Sequence, residues 1–478
     1  MKQSITLPMA DKFYHDQQDS AYIRSVNVSW EIPEENHYYL EYSYNRKDWY
    51  ALNGGFSIIL PCEELPVSDA LANQDPNGEK IAVSGLFSLQ NKYGKPEPVC
   101  IQSVSKMDDS SATVQVTYTN RMKELRRIIR SEDGIGHIQD NDYAAPIISH
   151  RADPYIYKHT DGKYYFLGSH TDAGHNLNGT YQYLYIILRS ADTLEDLTDN
   201  SGRYTEKIIY ERKPIGPDRV SPHIWAPEIH YIQGGWYVYY TTTVSDHSSW
   251  RIRPHCLACT GDDPMTDPWI SKGPIQTTVE NDIAFTDFSL DHTFFHHNDT
   301  DYFVWAQKTN NISDIFIAKL SNPWTICTPS VLLTHPEYNW ELHGFAVNEG
   351  PAVLKHDGRI FLTFSASGTD ALYNMGLLYA SEDSDLLDSS SWTKLPYPVF
   401  QSSRTTGFFG PGHNSFTRST DDTEDRYLGE GDYQPLYDAG RNAYIGKVFW
   451  DENGMPDFSV PGASLAMRKE DLILPESW

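Results

Sequence analysis

From residue 141 onward, polar and apolar positions return in one order: a polar or acidic residue beside Pro or Gly, an alternating apolar run, a turn, and an aromatic-rich run. Alternation with period two marks strands, and a two- to four-residue polar break between two such runs marks a hairpin. The first copy leads from Asp153-Pro154 through Tyr155-Ile156-Tyr157 and the turn Asp161-Gly162 to Tyr164-Tyr165-Phe166. The second leads from Pro227-Glu228 through Gly234-Gly235 to Trp236-Tyr237-Val238-Tyr239-Tyr240, and the third opens at Asp291 and pairs Phe294-Phe295 with Tyr302-Phe303-Val304-Trp305. The fourth opens at Glu349 and turns at Asp357-Gly358, and the fifth and weakest begins Gly410-Pro411-Gly412-His413.

The leading residues Asp153, Glu228, Asp291, Glu349 and His413 stand 58 to 75 positions apart, which is room for two hairpins per repeat. One such unit cannot bury both of its faces and must stack on neighbours around an axis, so five units predict a five-bladed β-propeller. If each leading residue starts the innermost strand of its blade, five polar side chains converge at one end of the central channel. Burial alone would select apolar residues there, yet four of the five are carboxylates. The plainer alternative, that each acid caps a turn, serves for one position better than for all of them.

Composition supports an all-β chain: 478 residues with 32 tyrosines, 12 tryptophans, 28 prolines and 31 glycines, long enough for two domains. A net charge of -27 disfavours nucleic acid and anionic membrane as partners and suits a neutral ligand. Neither a signal-like apolar start nor a membrane-length apolar run is seen, so a cytoplasmic location is expected. On that expectation the sequons at Asn27, Asn178, Asn298 and Asn311 carry no glycan. Five cysteines fit a reducing compartment, and Cys256 and Cys259, a lone Cys-x-x-Cys pair, are expected to be ordinary strand residues, not a redox or zinc site.

Five stretches, Arg151-Ala152-Asp153-Pro154, His223-Ile224-Trp225-Ala226-Pro227-Glu228, Ser289-Leu290-Asp291, Asn348-Glu349-Gly350-Pro351 and Gly410-Pro411-Gly412-His413, taken in order, resemble glycoside hydrolase family 43. Phe303-Val304-Trp305-Ala306-Gln307-Lys308 and Tyr373-Asn374-Met375-Gly376-Leu377-Leu378 are most similar to its exo-acting α-L-arabinofuranosidases. The resemblance implies an inverting hydrolase with Asp153 as general base, Glu349 as general acid and Asp291 as the helper that raises the acid's pKa and orients it. Inversion needs one carboxylate to activate water and one carboxylic acid to protonate the leaving oxygen. Glu228 is then a substrate-binding position. Trp225 and Phe345 either wall a sugar pocket or pack in the core. His413 matches a histidine that contacts a water-bound calcium or sodium ion in relatives. Since calcium takes oxygen ligands, any ion is expected to be structural and held mostly by water, with ordinary hydrogen bonding as the alternative and no cofactor required. His296 and His297 read as turn-flanking residues.

One departure concerns the fifth repeat. Relatives carry a Tyr-His-Ala-Arg segment whose arginine reaches substrate hydroxyls, where this chain reads Tyr427-Leu428-Gly429-Glu430. A trimmed last blade and a lost arginine contact are expected, with Arg441 or Arg151 as the substitute. Residues 1–140 lack the acid series and alternate as strands, for example Tyr38 to Tyr44 and Ala112 to Tyr118, which predicts a smaller β-sandwich-like module ahead of a catalytic propeller at 141–478. The expected activity is release of terminal α-L-arabinofuranose from small oligosaccharides. A β-D-xylosidase would use the same acids, a non-catalytic propeller lectin would need them only for hydrogen bonding, and a scaffold propeller would not need them. Oligomeric state is not readable.

Overall fold

A computed structural model describes residues 147–458 in side-chain detail, apart from 171–182, 200, 217–218, 339, 343, 371–372, 396–397, 401–409, 432–440, 451–452 and 457; outside that span it describes strands alone. The alternating runs form five sheets, each with a four-stranded antiparallel core; the third adds the short strands Gln276–Thr277 and Thr325–Ile326 and so has six. Blade 1 comprises Arg151–Lys158, Tyr164–His170, Tyr185–Ala191 and Thr205–Glu211. Blade 2 comprises Trp225–Ile232, Gly235–Thr243, Ile252–Cys259 and Trp269–Pro274. Blade 3 comprises Ser289–His297, Thr300–Thr309, Ile312–Asn322 and Val331–Thr334. Blade 4 comprises Asn348–His356, Arg359–Ala366, Asn374–Ser381 and Thr393–Lys394. Blade 5 comprises Phe409–Arg418, Asp425–Asp432, Asn442–Trp450 and Pro456–Phe458. First strands of successive blades pack on one another around the whole ring, the fifth against the first.

Period-two alternation explains why the ring holds. In Tyr164–His170 the side chains of Tyr164 and Phe166 join Leu428 and Ile445 of blade 5, while Tyr165 and Leu167 join Trp236, Val238 and Tyr240 of blade 2. Tyr239, of opposite parity, meets Phe303 and Trp305, and Tyr302 and Val304 meet Leu362 and Phe364. Phe361 and Met375 complete the ring against Tyr427 and Tyr444. Each blade therefore feeds two apolar layers from one strand, and each fully buried large side chain contributes about 1.5–3 kcal/mol. Cys256 and Cys259, three apart on one strand, fall on opposite faces, Cys256 in the layer toward blade 3 and Cys259 in the layer toward blade 1; both are free thiols, as expected of ordinary strand residues. Asn298 and Asn311 occupy left-handed positions in the two turns of blade 3.

Every innermost strand is interrupted at the same place. Pairing with the second strand shifts register between Ala152 and Tyr155, Trp225 and Glu228, Leu290 and His292, Glu349 and Ala352, and Gly412 and Ser415. One residue in each bulge is left-handed: Asp153 (φ 51°), Ala226 (φ 43°), Asp291 (φ 40°), Gly350 (φ 53°) and His413 (φ 31°). For a residue with a side chain this backbone costs on the order of 1–3 kcal/mol, and such strain collects at functional sites. The five leading residues are thus not one equivalent set, which corrects the sequence-based alignment. Asp153, Asp291 and His413 occupy the bulge itself, Glu349 precedes it by one residue and Glu228 follows it by two.

Toward the amino terminus, strands between Lys2–Pro8 and Ala112–Tyr118 pair antiparallel in one nine-stranded sheet, and Ile135–His137 pairs with Ala466–Arg468 near the carboxy terminus. The packing that would make this region a sandwich lies outside the described residues, as do the side chains of Asn27 and Asn178.

Candidate active site

The bulges turn the carboxyl groups of Asp153, Asp291 and Glu349 toward one buried cluster around His413. Asp153 Oδ1 receives Arg441 Nη1 at 3.1 Å and lies 3.2 Å from His413 Nδ1, while Oδ2 accepts the hydroxyl of Ser169. Ser169 Oγ in turn accepts the backbone N–H of Ala226 at 2.7 Å, so the left-handed residue of blade 2 steadies the acid of blade 1. Burial alone would raise the Asp153 pKa. Arg441, His413 and the two side-chain hydrogen bonds reverse that and hold it well below the usual carboxylate range.

Glu349 has the opposite surroundings. Its burial and the nearby charge of Asp291 push its pKa up to about 8, against the opposing influence of His413 and one hydrogen bond from Tyr373 Oη to Oε1 at 3.0 Å. Asp291 Oδ2 accepts the backbone N–H of Gly350 at 3.1 Å, and burial with the Asp153 charge raises its pKa to about 6. That hydrogen bond fastens Asp291 to the peptide next to Glu349. Gly350 permits the approach: a Cβ there would stand 3.1 Å from His413 Cγ and 3.2 Å from Ser365 Oγ. His413 Nδ1 lies 3.7 Å from Asp291 Oδ2. Burial would lower its pKa, yet the flanking Asp291 and Asp153 raise it to about 10, so it stands as a cation among acids.

At neutral pH these surroundings favour an ionised carboxylate at Asp153 and a protonated carboxylic acid at Glu349. That is the pair of protonation states an inverting glycoside cleavage requires.

Residues 143–456 match the family model for glycosyl hydrolases family 43. The chain belongs to glycoside hydrolase family 43. Over 330 residues, 67% of this chain, the family 43 protein is 42% identical to alpha-L-arabinofuranosidase 43 of Humicola insolens. It is 41% identical over 330 residues to an extracellular exo-alpha-(1->5)-L-arabinofuranosidase of Streptomyces avermitilis. In both cases the match spans 64% of the relative's length. The crystal structure of an alpha-L-arabinofuranosidase from Lactobacillus brevis is 42% identical with a TM-score of 0.59, over 67% of this chain and 98% of that one. A thermostable family-43 glycoside hydrolase, 21% identical with a TM-score of 0.51 over 68% of this chain and 97% of that one, shares the fold.

Within the family 43 protein the other sequence-derived positions divide. Glu228 is buried at the axis, where its Oε2 lies 2.9 Å from His230 Nε2 and burial raises its pKa well above the usual value. Trp225 is half-buried at the near end of blade 2, with centroids 5.9 Å from both Tyr183 and Trp250. Phe345 is 66% exposed, which removes the core-packing alternative for it. Arg441 reaches the site. Arg151 does not: its guanidinium lies 3.8 Å from Glu206 in the outermost strand of blade 1, so its expected role as a substitute substrate contact is corrected. His296 and His297 flank the Asn298-Asp299 turn as expected.

Calcium needs six to eight oxygens. Among the described residues no group of three His, Cys, Asp or Glu side chains is arranged to hold a metal, and Nδ1 of His413 is turned to the two aspartates. The described residues do not fit a cation caged directly by side chains.

Four residues at or beside the site were missed as functional positions in the sequence. Ser169, Tyr373 and Glu430 lie on second strands or in the loops between second and third strands, where no repeat pattern singles them out. Trp250, 61% exposed, stacks on His223 with centroids 5.5 Å apart. Exposed indole in a polar loop was the available signal for it.

Proposed function

We propose that this family 43 protein is an inverting, exo-acting α-L-arabinofuranosidase that releases terminal arabinofuranose from small oligosaccharides. The observation that carries the reading is the opposite surroundings of two acids, buried Asp153 paired with Arg441 and His413, which favour its ionised form, and half-buried Glu349 beside Asp291 and Tyr373, where desolvation and the Asp291 charge favour its protonated form. Asp153 takes a proton from water as the water oxygen bonds to the anomeric carbon. Glu349 gives its proton to the glycosidic oxygen as the bond from that oxygen to the anomeric carbon breaks. One proton is gained and one lost, Asp153 ends neutral and Glu349 ends anionic, and exchange with solvent resets both. Asp291 keeps the acid protonated until substrate arrives and orients it through Gly350.

The choice of sugar rests on the two arabinofuranosidases at 41–42% identity, one named exo-acting. Trp225 and Phe345, with Glu228 and Arg441 at the axis, are assigned to sugar binding. A water-held structural ion near His413 belongs to the same proposal, and dialysis against a chelator followed by a melting curve with added calcium tests it. Free thiols at Cys256, Cys259 and Cys327 suit a reducing compartment, and the chain up to about residue 140 is assigned to an accessory β-sandwich-like module.

The experiment is hydrolysis of aryl α-L-arabinofuranoside and aryl β-D-xyloside by the unaltered protein, Glu349→Gln and Asp153→Asn, with the anomer released followed by NMR. Arabinoside turnover with inversion, lost in both variants, is expected. Turnover of the xyloside alone transfers the mechanism to a xylosidase. Turnover of neither favours a carbohydrate-binding propeller.

A further inference from the structure

Glu430 is fully buried, and its two carboxylate oxygens bind the residue proposed as base and the arginine paired with that residue. Oε2 accepts the backbone N–H of Asp153 at 2.9 Å. Oε1 accepts Arg441 Nη1 at 2.6 Å, and the same nitrogen donates to Asp153 Oδ1 at 3.1 Å. One acid on blade 5 thus fixes the left-handed peptide of Asp153 and, through Arg441, its side chain. A buried carboxylate used only to neutralise an arginine would need one contact, and it would have no reason to reach across the ring closure to a strained N–H of another blade. We propose that Glu430 is a positioning residue for the reaction, holding the Asp153 carboxylate in line with the attacked carbon by clamping both ends of the residue.

The clamp gives the fifth blade a role beside the proposed base at the position where the chain departs from the Tyr-His-Ala-Arg pattern of the family it resembles. An arginine at position 430 could not accept either hydrogen bond, because guanidinium only donates. In this chain the cation comes instead from Arg441, and Glu430 keeps it against Asp153. Arg441 is thereby committed to the base at Nη1 as well as standing at the axis.

The inference rests on Asp153 as the base, so the test begins there. Turnover of aryl α-L-arabinofuranoside is measured for the unaltered protein and for Asp153→Asn, then for Glu430→Gln. Glutamine keeps the volume but has one acceptor oxygen, and it turns its NH2 against either the Asp153 N–H or Arg441. A folded Glu430→Gln protein is expected to lose about 10- to 100-fold in kcat with KM changed less than about twofold, the effect of a base displaced by a fraction of an ångström to about one. The second variant, Glu430→Gln with Arg441→Met, leaves no unpaired buried cation and protects the fold. It is expected to remain as slow as Glu430→Gln. A Glu430→Gln kcat within about twofold of the unaltered protein, a loss that falls mainly on KM, or recovery of kcat in the double variant overturns the positioning role while leaving the base assignment standing. An unaltered protein without turnover, or Asp153→Asn with full turnover, overturns the base assignment and the positioning role with it.

Discussion

The two sides of the site differ more in their partners than in their burial. Asp153, where blades 1 and 5 meet, is buried and Glu349, on blade 4, is half-buried, and desolvation is the largest influence on each. Around Asp153 stand Arg441, His413, Ser169 and, through its backbone, Glu430; around Glu349 stand Tyr373 and the like charge of Asp291. The same low-dielectric surroundings that strengthen the attraction of a cation also penalise an unpaired charge, so one acid ionises and the other keeps its proton. Burial sets the size of the effect and the neighbours set its sign.

That contrast breaks most completely when either carboxyl is removed. Asp153→Asn and Glu349→Gln should each lower kcat by about a thousandfold, as general acid–base groups do, measured on aryl α-L-arabinofuranoside. For Glu349→Gln the loss should shrink with a dinitrophenyl leaving group, which departs without a proton; for Asp153→Asn it should not.

Arg441→Met should act on both sides at once. Asp153 loses its strongest opposing cation and Glu349 loses a cation that lowers it, so both pKa values rise. On the proposed roles, in which Asp153 acts ionised and Glu349 protonated, both limbs of the kcat/KM profile should move to higher pH, with a loss of about 10- to 100-fold at neutral pH.

Tyr373→Phe should sharpen the comparison from the acid's side alone. Its hydroxyl donates to Glu349 and favours the ionised form, so its removal raises the pKa of about 8 further. The basic limb should move up, the acidic limb should stay, and kcat should fall by about tenfold or less.

The smallest effect is expected away from the proton transfers. Trp250→Ala should raise KM for arabino-oligosaccharides by about three- to tenfold, the worth of one aromatic stacking contact, with little change for methyl α-L-arabinofuranoside. Equal changes for both substrates would place Trp250 outside the path of the departing sugar.

The amino-acid sequence by itself determined the number of blades and where each begins, because apolar alternation and polar turns are local and repeat at blade spacing. It also carried the three carboxyls and His413, since polar residues at positions that burial would make apolar are conspicuous against that repeat. The tertiary structure decided their phase and their partners. Which residue of each bulge is left-handed separates Glu349 and Glu228 from the other three, and strand alternation alone does not place a bulge to one residue. Arg151 and Arg441 were equal candidates in the sequence. Ring closure brings Arg441 and Glu430 to Asp153 across 288 and 277 residues of chain, while Arg151, two positions from Asp153, is carried outward to Glu206. Local pattern fixes which side chains a strand offers to each face; only closure of the ring fixes which charges meet, and that meeting sets which acid holds the proton.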